Sequence, residues 1–189
     1  FKAARAFSGA VKHTAHVDGR WLEESVVENN HSRHKIVVVD LNGIIMDRTD
    51  EWTGASLVSF VHDQLHLAAG DASVKAVVLR VDSPGGEVLA ADDIAREIGK
   101  FQDESGKPVV VSMGNLAASG GDYISAAADV IYAHPGTLTG SIGVIFSMPE
   151  FSKLLGTVGV TMEELKSGDL KAEPSPYKPM SEKARVASM

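Results

Sequence analysis

The sequence of 189 residues contains no cysteine, and this excludes a disulfide framework, a thiolate nucleophile and a cysteine-rich metal site. No apolar run approaches the roughly 18 residues that a membrane-spanning helix needs, and no signal-peptide pattern is present, so the chain as it stands is expected to be soluble. Basic residues are the minority, and the formal net charge of −7 removes the usual electrostatic driving force for binding nucleic acid. We therefore expect no nucleic-acid partner.

Hydrophobic residues make up 44% of the chain and charged residues 23%, which is typical of a globular protein. From Lys35 onward, short Val/Ile runs alternate with apolar stripes at helical spacing, and this alternation predicts an α/β fold. Strands are predicted at residues 36–41, 76–81, 109–113, 130–133 and 142–146, each buried on both faces. Helices are predicted from the stripes over 57–68 and 91–101. Right-handed crossovers between parallel strands would build a spiral of repeated βαβ or ββα units.

Residues 1–34 are polar and mixed, and they are expected to form an approach segment, a helical or extended arm, ahead of the domain at 35–189. Histidines are scattered in this segment, but no pair of them shares a helix face with a carboxylate. A metal site is therefore not expected.

The first glycine-rich turn is Asp-Ser-Pro-Gly-Gly-Glu at 82–87, between the strand ending near Val81 and the helix through Ile94. Consecutive glycines allow backbone angles that other residues avoid, and they let a ligand approach the chain closely. Amides at the start of a helix favour negative charge, so this turn suits an oxyanion or a phosphate. An ordinary strand-to-helix turn is the simpler alternative.

The second turn, at 114–121, surrounds the hydroxyl of Ser119 with Ala and Gly before a helix through Ile124 and Ala128. Small neighbours leave room for a substrate backbone, and amides at a helix start can stabilise an oxyanion. If the turn stood alone, Ser119 as a simple helix cap would be the better interpretation.

Two further segments carry candidate groups. Thr-Gly-Ser-Ile-Gly-Val at 139–144 joins a turn to the last predicted strand, and its hydroxyls could orient a partner. Residues 165–171 place Lys166 and Lys171 on a glycine-containing turn ahead of a Pro-rich loop. A lysine acts as a general base only if its pKa falls from about 10.4 toward 7, which takes desolvation or hydrogen bonding to the neutral amine.

Taken in order, these motifs resemble the signal peptide peptidase A family of membrane-associated serine peptidases, which have a crotonase/Clp protease-like fold. The resemblance extends from about Lys35 to Arg185 and is carried by the motifs at 82–86, 117–121, 139–144 and 166–171, with Ser175-Pro176 and 180–185 after them. Four ordered motifs make the resemblance specific.

The resemblance implies a Ser/Lys dyad with Ser119 as nucleophile and Lys171 as general base, Lys166 being the competitor for the latter role. It also implies that Ser141 positions the lysine amine and that the amides of Gly86 and Gly120 form the oxyanion hole. No cofactor and no metal are implied.

The resemblance further implies a short-form protein that assembles as a homo-oligomer, with active sites between protomers. It implies a membrane anchor outside this sequence, an extracytoplasmic catalytic domain, and peptide substrates such as cleaved signal peptides. Two departures stand out. Asp122 occupies a position where an uncharged residue is expected, and the chain ends eighteen residues after Lys171, so its catalytic domain is expected to be truncated at the C-terminus.

Three alternatives stay open. A Ser-His-Asp triad on the related Clp fold would use His134 as the base. An acyl-CoA hydratase or isomerase of the crotonase fold would use the Gly85-Gly86 amides to polarise a thioester. A non-enzymatic scaffold organising a membrane complex would leave Ser119 unreactive.

Overall fold

The computed structural model describes residues 12–17, 20–28, 32–48 and 56–187 of the chain. The chain divides into two compact units, the first comprising residues 1–143 and the second residues 144–189. Each unit is described by itself.

The first two described elements of the first unit, β1 (Lys12–Val17) and β2 (Arg20–Ser25), pair as an antiparallel hairpin. This hairpin lies in the segment predicted as a helical or extended arm, and its backbone is extended. The domain boundary predicted at Lys35 stays a prediction.

The main sheet of the first unit is parallel. Its strands, in order of both sequence and space, are β3 (Lys35–Asn42), β4 (Val74–Ser83), β5 (Val109–Ala118) and β6 (Val130–Ala133). A short strand, β7 (Leu138–Gly140), pairs in parallel with the last residues of β5, beyond the end of β6. Four of the five predicted strands are therefore confirmed, with β4 and β5 longer than expected.

In the part of the unit that the structure describes, three helices connect these strands, so that successive βαβ units result. They are α1 (Leu57–Gly70), α2 (Val88–Ser105) and α3 (Gly120–Ser125). α1 starts at a capping box, in which the backbone N–H of Ser59 donates to the Ser56 hydroxyl at 3.1 Å. α2 ends at Gly106, whose φ of 66° lies in the left-handed region that glycine favours.

The core lies between the helices and one face of the sheet. Val39 and Leu41 of β3 are fully buried, whereas Ile36 and Val38, which point to the other face, are 66% and 46% exposed. The expectation that both faces would be covered is therefore wrong for this strand. The buried apolar residues that join sheet and helices include Val77, Leu79, Val81, Ile94, Ile98, Val109, Val111 and Ile124.

The second unit contains two short helices, α4 (Ser152–Thr157) and α5 (Glu182–Ala187). Within it, the N–H of Phe151 donates to the Pro176 carbonyl at 2.7 Å, and the neighbouring Ser175 is buried. No helix in the part of the chain that the structure describes is long and apolar enough to cross a membrane.

The strand predicted at residues 142–146 is wrong, because the structure has no strand there and its apolar side chains are exposed. Leu138–Gly140 takes the place beside the end of β5 instead. A run of apolar residues indicates a propensity to form a strand, but whether that run pairs depends on the availability of a neighbouring strand.

Candidate active site

The Gly85-Gly86 turn lies between the end of β4 and the start of α2, as the sequence predicts. The segment around Ile45 runs parallel to it: the N–H of Ile45 donates to the Gly85 carbonyl at 2.9 Å, and the N–H of Glu87 donates to the Ile45 carbonyl at 2.8 Å. Since successive residues of an extended chain point their polar groups to opposite sides, the N–H and C=O of Gly86 face away from Ile45. That amide is therefore directed toward an added ligand or strand.

Gly86 cannot carry a side chain here. A Cβ built on it would lie 1.9 Å from the carbonyl oxygen of Ile45. The glycine therefore permits the close backbone approach that fixes the direction of its amide.

Gly85 is packed directly against Ser119. Its φ of 95° is in the region open mainly to glycine, and a Cβ built on it would lie 2.7 Å from the Gly120 nitrogen and 2.8 Å from Ser119 Cβ. The structure thus brings the first and second glycine-rich turns into contact, although 34 positions separate Gly85 from Ser119.

Ser119 has a strained backbone, with φ of 52° and ψ of −118°. A non-glycine residue with positive φ costs on the order of 1–3 kcal/mol and persists only where its surroundings impose it. Its hydroxyl makes no capping hydrogen bond to α3, so the helix-cap interpretation does not describe this side chain. Ser119 is half-buried at a sharp turn between a strand and a helix.

Backbone hydrogen bonds hold the sharp turn at Ser119 between β5 and α3, which we call the Ser119 elbow. The N–H of Ser119 donates to the Gly140 carbonyl at 2.7 Å, and its carbonyl accepts from the N–H of Tyr123 at 2.9 Å. Within the described residues, no backbone partner is found for the N–H of Gly120 or of Gly86. These two amides are available to bind an acceptor.

The third motif lies against the second through β7. The Thr139 hydroxyl lies 2.8 Å from the Ala117 carbonyl and 3.1 Å from Asp122 Oδ1, and the next two residues, Gly140 and Ser141, both have positive φ, of 84° and 55°. Ser141 is exposed and follows directly on the residue that binds the Ser119 amide. The motif begins as a strand and continues without regular secondary structure, whereas the sequence predicts a turn leading into a strand.

Asp122, the departure from the expected pattern, has a structural partner in this arrangement. Its carboxylate can accept the hydrogen bond of the Thr139 hydroxyl, which ties the first turn of α3 to the third motif. The charge of Asp122 therefore lies beside Thr139.

A polar cluster joins α3 to α2 at the surface. The Tyr123 hydroxyl donates to Asp92 Oδ1 at 2.9 Å, and Arg96 Nε donates to Asp92 Oδ2 at 2.6 Å. The hydrogen bonds from Arg96 and then from Tyr123 lower the pKa of Asp92, and the bond to Asp92 raises the pKa of Tyr123. This cluster holds α3 on α2 next to the Gly85 turn.

The lysine motif belongs to the second unit. Lys171 is exposed, and its N–H donates to the Gly168 carbonyl at 3.2 Å, which closes a turn. The Lys166 ammonium donates to the Asp169 carbonyl at 2.9 Å. No hydrogen bond or ion pair from the Lys171 ammonium is found within the residues described.

His134 is remote from Ser119 along the sheet. It follows Ala133, which pairs with Met113, so it lies level with Gly114, and the Thr137 hydroxyl indeed donates to the Gly114 carbonyl at 2.8 Å. Five residues separate Gly114 from Ser119, and two of them are extra residues of β5 relative to β4. About three steps of roughly 3.3 Å therefore remain, or roughly 10 Å along the strand, whereas a base must come within about 3 Å. The exposed ring accepts the Gly136 N–H at Nδ1 instead. The described arrangement does not favour the His134 triad.

Two contributors to this site lie outside the sequence-based predictions. Ile45 fixes the direction of the Gly86 amide, and Asp82 accepts the N–H of Leu116 on its carboxylate at 3.1 Å. Asp82 lies inside the first motif, so an acidic residue at that position is the sequence feature from which its contribution to the site could have been predicted. Ile45 gave no signal, because a buried isoleucine is ordinary core composition.

The chain is similar to a family of peptidases and to several of its curated members. Residues 101–188 match the model of Peptidase family S49. The chain is 41% identical over 170 residues to the "Putative signal peptide peptidase SppA" of Enterococcus faecium, covering 87% of this chain and 49% of that protein. It is 40% identical over 157 residues to "Protease 4" of Haemophilus influenzae, covering 82% of this chain and 25% of that protein. The chain thus spans half or less of the length of these relatives.

Among solved structures, a membrane-bound stomatin-specific protease in complex with a substrate peptide has a TM-score of 0.49 and 24% identity, covering 59% of this chain and 47% of that one. A ClpP1 variant from Listeria monocytogenes has a TM-score of 0.45 and 25% identity, covering 54% of this chain and 53% of that one.

The fold is α/β, as predicted, with parallel strands joined in successive βαβ units. Within that class, the chain belongs to the signal peptide peptidase A family, whose relatives match it over most of its length. The predicted family is confirmed.

Proposed function

We propose that this chain carries the catalytic machinery of a serine peptidase in which Ser119 is the nucleophile and Lys171 the general base. The observation that carries the proposal is the strained backbone of Ser119, whose side chain makes no capping bond and whose Cβ packs against Gly85. Backbone strain of this kind concentrates at functional sites. Membership of a family of peptidases supports the same reaction.

The amides of Gly86 and Gly120 are proposed to form the oxyanion hole. Both belong to the turns that meet at Ser119, and the Gly86 amide faces away from Ile45. Donors fixed before the reaction stabilise the developing negative charge without reorganisation, and the loss of one such donor typically costs roughly 10²–10³-fold in rate.

The proposed reaction has two stages. Ser119 Oγ attacks the scissile carbonyl carbon while the neutral amine of Lys171 accepts its proton, and the carbonyl oxygen becomes the oxyanion bound by the two amides. Lys171 then returns the proton to the leaving amine, which leaves an acyl-enzyme ester on Ser119. Water, activated by the same amine, hydrolyses the ester and restores the serine.

Ser141 is proposed to position the Lys171 amine by hydrogen bonding. It follows Gly140, whose carbonyl accepts the Ser119 N–H, so the third motif is coupled to the nucleophile through one residue. If the Ser141 hydroxyl oxygen accepts a hydrogen bond from the amine N–H, the nitrogen lone pair is free to point toward Ser119.

The substrates are proposed to be hydrophobic peptides such as remnants of cleaved signal peptides, which the name of the Enterococcus faecium relative suggests. A peptide would bind as an added extended strand beside Gly86, pairing with its outward N–H and C=O. We propose that the protein acts as a homo-oligomer with active sites shared between protomers, and that it is anchored to a membrane with its catalytic part outside the cytoplasm.

The choice of base is tested with an activated peptide ester and the separate variants Lys171→Ala, Lys166→Ala and His134→Ala. Loss of a general base should lower kcat by roughly 10²–10⁴-fold in Lys171→Ala alone. Lys166→Ala and His134→Ala are matched controls and should retain activity close to the wild-type value. A Lys171→Ala variant as active as wild type, or a large loss in either control, would contradict the assignment.

A further inference from the structure

We propose that Asp82 is a positioning residue for Ser119, acting through a bulge in β5. This inference rests on the proposed function, because it concerns how the nucleophile is placed. Asp82 makes no contact with the reacting atoms; its carboxylate accepts the N–H of Leu116 at 3.1 Å, three residues before Ser119.

The bulge is visible in the strand register. Val81 of β4 pairs with Met113 of β5, but Ser83, two residues later, pairs with Ala117, four residues later. β5 therefore carries two extra residues between these pairs. A bulge bends its strand and redirects the side chains that follow, and bulges are frequent next to active sites.

Asp82 sits opposite the bulge and fills it. A Cβ built on Gly114 would lie 2.9 Å from Asp82 Cγ and 3.0 Å from Asp82 Oδ2, so the carboxyl group occupies the space beside this glycine. On the other side of the strand, the Thr137 hydroxyl donates to the Gly114 carbonyl at 2.8 Å. The bulge in β5 is thus contacted on one side by Asp82 and on the other by Thr137.

Asp82 also links the bulge to the Gly86 turn. Its backbone carbonyl accepts the N–H of Gly43 at 3.0 Å, two residues before Ile45, which bonds to Gly85 and Glu87. One residue therefore connects the segment that directs the Gly86 amide with the segment that leads into the Ser119 elbow. Because a shift of about 1 Å at a reacting atom can cost roughly 10²-fold in rate, this connection matters for catalysis.

The chain offers a matched control at the opposite end of β5. The Asp129 carboxylate accepts the N–H of Val109 at 2.8 Å and a hydrogen bond from Gln102 at 2.9 Å. Asp129→Ala therefore removes the same kind of carboxylate-to-strand bond. Its bond to Val109 lies ten residues before Ser119, which is roughly 26 Å at about 3.3 Å per residue when the two bulge residues are not counted.

The test compares rates at which a serine-directed fluorophosphonate labels Ser119 in the full chain. Asp82→Ala should lower the rate by roughly 10²-fold. Asp82→Asn keeps a side-chain oxygen that can accept the Leu116 N–H, and it should recover to within about threefold of wild type. Asp129→Ala should label at close to the wild-type rate even where it lowers the melting temperature as much as Asp82→Ala.

Gly114→Ala is a second route to the same contact, since its methyl group would displace the Asp82 carboxylate without removing it. It should lower the labelling rate in the same direction as Asp82→Ala. The inference is overturned if Asp82→Ala labels as fast as Asp129→Ala, or if Asp82→Asn is as slow as Asp82→Ala.

Amide hydrogen exchange separates this inference from the proposed function. Asp82→Ala should raise exchange in peptides covering residues 114–121, Asp82→Asn should restore it, and Asp129→Ala should raise exchange near Val109 instead. If wild-type Ser119 is not labelled at all, the proposed function fails, and the exchange pattern alone decides whether Asp82 holds the bulge. Equal exchange over 114–121 in all variants would overturn the inference.

Discussion

Replacing Gly85 by alanine tests the contact on which the candidate site is built. The new methyl group would lie 2.7 Å from the Gly120 nitrogen, whereas an ordinary contact is about 3.5 Å, so the turn or the Ser119 elbow must move by roughly 0.8 Å. The φ of 95° adds about 1–2 kcal/mol of backbone strain for a residue with a Cβ. With the cost of overpacking, the free energy of unfolding should fall by about 2–5 kcal/mol.

Gly106→Ala is the control for this substitution, because Gly106 also has positive φ but has no atom within 4 Å of a built Cβ. It should show the strain alone, about 1–2 kcal/mol in urea denaturation, and it should leave the labelling of Ser119 unchanged. Gly85→Ala should in addition lower the labelling rate by roughly 10–10²-fold. A Gly85→Ala protein that is labelled at the wild-type rate and is no less stable than Gly106→Ala would refute the contact between the two turns.

Two further predictions concern the sheet–helix framework. The Lys107 ammonium donates to the carbonyls of Ala68, Ala69 and Asp71 at the end of α1. Lys107→Met should therefore lower the free energy of unfolding, measured by urea denaturation, by about 1–3 kcal/mol. A loss no larger than that of the exposed control Lys100→Met would contradict this prediction. Hydrogen bonds from the Ser73 hydroxyl and N–H, and then from Lys35, hold the pKa of Asp71 well below its usual range. Because that pKa is lowered in the folded state, its stabilisation is present above the unfolded value of about 3.9 and is lost as the pH falls below it. The melting temperatures of wild type and Asp71→Asn should therefore differ at pH 7 and converge toward pH 2; a difference that does not depend on pH would contradict the pairing.

Sequence patterns predicted the parts of the fold whose stabilisation is local or repetitive. The Val/Ile runs gave β3 to β6, and stripes at helical spacing gave α1 and α2, because burying such faces needs only a neighbouring layer. The hairpin of β1 and β2 was not predicted as strands, since its polar composition carries no apolar alternation. The strand expected at 142–146 failed because β7 occupies the pairing position next to β5.

The sequence predicted those residues of the candidate site that lie within its motifs. Ser119, Gly86, Gly120 and Ser141 were named from glycine-rich turns and from a family resemblance, and the structure brings the turns that carry the first three together. The positive φ of Ser119 and the carboxylate of Asp82 in the β5 bulge depend on contacts between distant segments, and composition does not record such contacts.

The reactivity of Ser119 as a nucleophile is tested by treating the chain with a serine-directed fluorophosphonate and measuring its mass. We expect one added phosphonyl group, located on Ser119 by peptide mapping and absent from Ser119→Ala. Labelling should be slowed by roughly 10²-fold or more in Lys171→Ala, because the proton of the hydroxyl then has no acceptor. An assembled protein that stays unmodified, or that is modified at another serine while Ser119 is untouched, would contradict it.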